Sequence, residues 1–224
     1  MKYIFVSLIL IFCSCSNEKI VQLPEISNSN ITEVIDVSAA YLFYNETVAD
    51  SVELNRKNLI GTTNWLVNVD KRLTLNQAIP KIKFLQDKKR NAEMHKNEAA
   101  KNYYTCHDTS ISNLGFIEFT DVIYRDWIPG ESIPKLDSSN HPATIGYQFD
   151  GSIRILNPDT EAMHFETTLE ELTEHLKTMD SLNDVIHLNF DRSISFQQYI
   201  SLKSKLAKFK FKHAKIANEE FIFN

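Results

Sequence analysis

Cys106, His107 and Asp108 stand side by side and supply a thiol, an imidazole and a carboxylate, the three groups a thiol hydrolase combines. Catalytic partners usually arrive from distant segments, because neighbours in a chain rarely face one another. A free cysteine in a polar loop from Tyr103 to Ser112 is therefore the expected reading, with a hydrolase using Cys106 and His107 as the alternative. His95, His107 and His141 could gather with Cys106 around zinc, but no Cys-x-x-Cys or His-x-x-x-His pairing is present, so no metal or other cofactor is expected. Asp70 and Asp191 each end an apolar stretch and precede a helical pattern, where a carboxylate favours a nearby helix N-terminus. Structure is their expected role, and both are kept as candidate functional positions.

The other two cysteines belong to different chemistry. Met1 and Lys2 open the chain, and Tyr3 to Cys13 form an apolar run broken only by Ser7, long enough for a signal-peptide core but too short to cross a bilayer. It ends in Phe12-Cys13-Ser14-Cys15-Ser16-Asn17, which resembles a lipobox with small Ser14 before the acceptor Cys15. Phe12 departs from the aliphatic residue usual there, and as a bulky neighbour it disfavours Cys13 as acceptor. The resemblance implies a bacterial lipoprotein whose residues 1–14 are removed and whose Cys15 carries acyl chains sufficient for stable anchoring. Ser16 is not acidic, so the outer membrane of the cell envelope is the default destination.

Composition narrows the remainder. The chain of 224 residues has 24 basic and 29 acidic side chains, a net charge of −5; without residues 1–14, which include Lys2, 210 residues remain with 23 basic and 29 acidic. This mildly acidic balance gives no electrostatic footprint for nucleic acid. Once Cys15 is acylated Cys106 is the only thiol, so the fold must rest on its apolar core. The five glycines, at 61, 115, 130, 146 and 151, are too scattered to cradle a phosphate.

Those groups need elements to hold them. Residues 15–30, rich in Ser, Asn and Pro, read as a tether, with folded sequence starting near Ile31. Turn formers concentrate from Trp127 to Pro142, so a linker over 127–142 is expected to divide modules at 31–126 and 143–224. Ile145 to Phe149 and Ser152 to Leu156 flank Asp150-Gly151, a hairpin signal. Thr168 to Glu171 and Ser195 to Gln198 are capping boxes that start helices carrying Leu169, Leu172, Leu176, Met179 and Tyr199, Leu202, Leu206, Phe209. Strands are expected at Val185 to Phe190 and near Glu220 to Phe223. Lys81, Lys83, Lys88, Lys89 and Arg90, and again Lys203, Lys205, Lys208, Lys210, Lys212 and Lys215, read as solvated faces that could also meet anionic lipid or polymer.

The succession Ile145 to Ile153, Leu169 to Leu172, Ile186 to Asp191 and the Ser195 helix resembles the periplasmic domain of the ExbD/TolR biopolymer-transport family over about the last third of the chain. Asn68 to Ile79 also lies over Asn189 to Ile200 without a gap, matching Asn, Asp, Gln and Ile and placing a hydroxyl residue three before Gln in both. Pro80 is the oddity, since proline suits a helix only in its first turn. An internal duplication is expected, its first copy ending in a strand from Leu114 to Phe119, and hence an α+β fold of small sheets each covered by two or so helices, as two tandem ExbD/TolR-like modules. The family's proteins carry an N-terminal membrane helix with a functional Asp, and no residue here can inherit it. What carries over is a periplasmic domain that dimerises and contacts envelope proteins or peptidoglycan. The resemblance thus implies a non-enzymatic docking module, with a small-molecule-binding lipoprotein as a further alternative.

Labelled fatty acid fed to cells making the protein is expected to enter Cys13→Ala but not Cys15→Ala; the reverse pattern would move the mature N-terminus.

Overall fold

A computed structural model describes residues 19–91, 97–127 and 141–224. Cys13, Cys15, His95 and most of the expected linker lie outside the described residues.

The strands are β1 (Glu25–Ile26), β2 (Val37–Tyr44), β3 (Val52–Asn55), β4 (Asn64–Val69), β5 (Asn102–Asp108), β6 (Asn113–Glu118), β7 (Ile123–Asp126), β8 (Pro142–Tyr147), β9 (Ile153–Leu156), β10 (His164–Thr167), β11 (Val185–Asp191) and β12 (Lys215–Phe223). The helices are α1 (Leu75–Arg90), α2 (Leu172–Leu182) and α3 (Phe196–Lys208). They make a mixed α/β fold of two six-stranded sheets.

In the first sheet β3, β2, β4 and β5 lie side by side, β6 also pairs with β5, and β1 adds to the C-terminal end of β5. In the second the order is β10, β9, β8, β11, β12, β7. Each sheet contains the same run: an antiparallel hairpin, a central strand parallel to its inner arm, a helix, and a parallel return strand. Thus β3-β2-β4-α1-β5 answers β9-β8-β11-α3-β12, with β10 and α2 inserted only in the second. The alternation of apolar residues in β4 (Trp65, Val67, Val69) and β9 (Ile153, Ile155) turns one face of each sheet inward. Helix α1 adds Leu75, Ala78, Ile79, Ile82 and Leu85, and α3 adds Phe196, Tyr199, Ile200, Leu202 and Leu206 to the same continuous core. Both helices touch both sheets, since Lys89 lies over the Trp65 ring while Lys83 pairs with Asp126, and Tyr199 meets both Tyr104 and Phe190.

Several expected boundaries move. Residues within the expected tether are part of the fold: Pro24 and Ile26 carbonyls accept from His107 and Thr109 N–H, and Lys71 N–H donates to the Gln22 carbonyl. We call residues 20–31 the strap. Tyr103 to Asp108 is strand β5 rather than a polar loop, because its polar Asn102, Thr105 and Asp108 point into protein. The return strand after α1 is accordingly β5, and the expected terminal strand of the first copy, Leu114 to Phe119, is the extra strand β6. Ile123–Asp126, assigned to the first module, pairs with β12, so the chain passes to the second sheet before Trp127. Helix α2 starts at Leu172 rather than after Thr168, whose hydroxyl receives the Glu171 N–H at 3.4 Å without the reciprocal bond. Pro80 lies inside α1, exposed, beyond the first turn. The hairpin and the Ser195 helix match, with Gly151 at φ +88° in the turn.

The strap is held by Asp108, fully buried, which accepts from Ser29 N–H at 2.6 Å, Asn28 N–H at 3.0 Å and the Ser110 hydroxyl at 2.6 Å. A Cβ at Gly115 would stand 2.7 Å from Ser29 Cβ, so glycine lets the strap approach β6. The Ser110 hydroxyl and the Ser29 N–H hold the Asp108 carboxyl down at about 2. An unfolded Asp titrates near ~4, so this contribution is complete above that pH and drains away as pH falls towards 2. Hydrogen exchange is expected to show residues 26–31 opening in that window, and Asp108→Asn should abolish the acid dependence; identical profiles would refute the assignment.

Candidate functional site: the junction between the two halves

The two segments that align in sequence meet in space. Thr74 N-caps α1 and Ser195 N-caps α3, each accepting from the N–H three residues on, while the side chains of Gln77 and Gln198 accept from the cap N–H at 2.8 Å. Thr74 and Ser195 face each other in an antiparallel bridge. Around it Leu75 N–H donates to Ile194 O at 3.0 Å and Phe196 N–H to Leu73 O at 2.6 Å. Asn76 N–H donates to Arg192 O at 2.8 Å and Gln197 N–H to Lys71 O at 3.2 Å. Each pair exchanges into the other when the two aligned segments are swapped, so a local two-fold axis passes between Thr74 and Ser195. The first-turn N–H groups that a helix leaves orphaned are thus satisfied across the axis.

Asp70 and Asp191 shape the loops that enter this bridge. Asp70, fully buried at the end of β4, receives Arg72 N–H at 3.1 Å, Gln22 N–H at 3.2 Å and the Arg72 guanidinium twice at 2.8 Å. Burial pushes its carboxyl up, but the Arg72 and Gln22 hydrogen bonds outweigh it and hold the carboxyl below the ordinary range. Asp191 makes the matching turn, accepting from Ser193 N–H at 2.8 Å. Neither caps a helix; both fix the turn two residues ahead.

Behind the axis lies a buried polar chain that local patterns do not reveal. The Tyr104 hydroxyl bonds to that of Tyr124, Tyr124 to Tyr199 at 3.1 Å, and Tyr199 donates to Glu220 at 2.8 Å. Lys203, at 12 % side-chain exposure, closes the chain on fully buried Glu220. Burial drives the hydroxyls of Tyr104, Tyr124 and Tyr199 well above the ordinary phenol range, so they stay neutral and serve as donors and acceptors. The chain joins β5, β7, α3 and β12. In sequence Glu220 follows Asn218 and Glu219 and precedes Phe221-Ile222-Phe223, so nothing marks it as the buried acid of the strand.

The expected chemical residues do not converge. Cys106 faces the core and burial pushes its thiol up, so no thiolate is available to attack a substrate. His107, next along the strand, points to the exposed side and lies near Glu25. His141 pairs instead with Asp159 at 3.0 Å, which raises its pKa. Among the described residues no group of three or more His, Cys, Asp or Glu could hold a metal ion. Burial pulls Lys89 down to about 8, while Asn102 Oδ1 and Lys101 O accept its hydrogens at 2.9 and 3.0 Å.

Beside the junction, both halves build one groove of about 540 Å³, with Ile26 and Thr109 on one wall and Thr173, Ser201 and Lys205 on the other. Fold and site together define a mixed α/β protein of two six-stranded sheets whose helix starts at Thr74 and Ser195 meet about a local two-fold axis. No family model, curated protein or solved structure matches the chain.

Thr74→Ala and Ser195→Ala are each expected to cost about 1 kcal/mol in chemical denaturation. Because the two caps share one bridge, the double variant should depart from additivity by more than ~0.5 kcal/mol; simple additivity would show two independent caps.

Proposed function

We propose that the chain is a cell-envelope lipoprotein, anchored through Cys15, that docks a partner without chemistry of its own. The observation that carries this reading is the junction itself, where the two helix starts complete each other. In the ExbD/TolR family, which the second copy resembles in sequence, the periplasmic module acts as a dimer. Here one chain supplies both halves of such a pair, as two tandem ExbD/TolR-like modules, and no membrane helix is needed to bring them together. The partner is an envelope protein or peptidoglycan, and the outer membrane is the default location of the anchor.

The groove that both halves line is the favoured docking surface, because it exists only when the halves are joined. Its mixture of apolar side chains, hydroxyls, two lysines (Lys205, Lys208) and two glutamates (Glu25, Glu170) suits a segment that offers both backbone and side-chain contacts. Burial of Cys106 supports docking over thiol hydrolysis.

Crosslinking in intact cells followed by pull-down is expected to capture an envelope partner, and Ser201→Arg, which fills the groove from α3, should reduce that capture. Recovery of the monomer alone would sink the docking reading.

A further inference from the structure

The strap fixes where the chain leaves the fold. Lys19 pairs with Glu53 on β3, Gln22 is bonded to Asp70 and Lys71, and Glu25 N–H donates to Gln197 at 2.8 Å. The first backbone hydrogen bonds of the strap are those of Gln22, so the backbone is attached to the protein from there on. Cys15 is seven peptide units earlier, a reach of at most roughly 25 Å even when fully extended.

The exit point is chemically distinctive. Lys19 lines a recess of about 740 Å³ at the β3 edge together with Arg56, Lys57 and Lys88, against an apolar side made by Phe43 and Leu59. Its one acid, Glu53, is occupied by Lys19 and by Asn45 Nδ2 at 3.0 Å. Arg56, Lys57 and Lys88 make no ion pair among the described residues; Arg56 lies over the Phe84 ring at 5.2 Å. Beside the recess Tyr41 and Phe43 stack on the outer face of the first sheet next to Val21 and Leu23 of the strap, with Phe43 buried and Tyr41 half-buried, while Ile20 of the strap is 75 % exposed. Cations next to aromatic and aliphatic side chains form the pattern that sits at a headgroup layer.

On the reading that Cys15 is acylated, we propose that the β3-edge recess rests on the bilayer and receives the headgroup phosphates of anionic lipids. A seven-residue leash holds three cations, without an ion pair among the described residues, near the surface, where a weak headgroup affinity becomes an intramolecular contact. The lipid then acts as an orienting device as well as an anchor. It places the β3 edge down and leaves the groove beside the junction, on α2 and α3, free for a partner.

The test uses the acylated full-length protein in vesicles of phosphatidylcholine with phosphatidylglycerol, with a fluorophore on Asn55→Cys, which lines the recess, or on Lys177→Cys, on α2. Buried Cys106 does not compete for the maleimide. Flotation with the vesicles reports the anchor; quenching by headgroup-labelled nitroxide lipid reports the face. We expect loss of fluorescence at position 55 and none at 177, with the loss absent from pure phosphatidylcholine vesicles. Replacing Arg56, Lys57 and Lys88 by Gln should abolish it too, since each cation near the surface is worth about fivefold in headgroup affinity. Failure to float overturns the acylation reading and this proposal with it. Flotation with a bright label at 55, equal quenching at both positions, or quenching untouched by the triple variant or by removal of the anionic lipid overturns the proposal alone.

Discussion

Each helix that follows a central strand completes its first turn on the loop of the other half. Four backbone hydrogen bonds run across the local axis at Thr74 and Ser195, and the two capping boxes close the third N–H of each helix within its own loop. Leaving buried helix N–H groups unpaired costs about 1–3 kcal/mol apiece, so neither helix start is complete without the other half. The rest of the architecture follows from that dependence. The β4 and β11 loops must arrive at the axis in register, which Asp70 and Asp191 secure through their turns, and α1 and α3 must each lie against both sheets.

The buried tyrosine chain extends the same logic into the core. Glu220 is fully enclosed, and a carboxylate there is tolerable only because Lys203 and the Tyr199 hydroxyl reach it. Tyr124 adds the crossing segment, and Tyr104 adds the first sheet. Apolar packing between the halves could slide by a fraction of a side chain at modest cost; a chain of hydroxyls ending on an ion pair cannot, because a shift at one link breaks the bonds on either side of it. The polar chain thus specifies the docking that the apolar residues drive.

What was legible in the residues was the local chemistry. Thr74 with Gln77 and Ser195 with Gln198 bond within four residues, and Asp150-Gly151 closes its own turn, so type and spacing sufficed. The same pattern misled at Thr168, where only half of the box forms and the helix waits for Leu172. Where partners are remote the letters were silent. Pro24 and Ile26 look like tether until His107 and Thr109 are beside them, and Ile123–Asp126 looks like the end of one unit until it meets the last strand. Tyr103 to Asp108 reads as loop because Asn102, Thr105 and Asp108 are polar, yet all three are buried. The gap-free match of residues 68–79 with 189–200 suggests a duplication, but nothing in it indicates that the two segments touch.

The strap also sets an order of events. Glu25 N–H finds its acceptor on Gln197 and Asn30 Nδ2 finds the Ala207 carbonyl, both near the far end of the chain. Residues made first therefore hold places that are finished last, a loop closure spanning most of the molecule. The strap can reach β5 through Pro24, Ile26, Asn28 and Ser29 without α3, whereas these two contacts have the longest separation and carry the closure entropy that is met last.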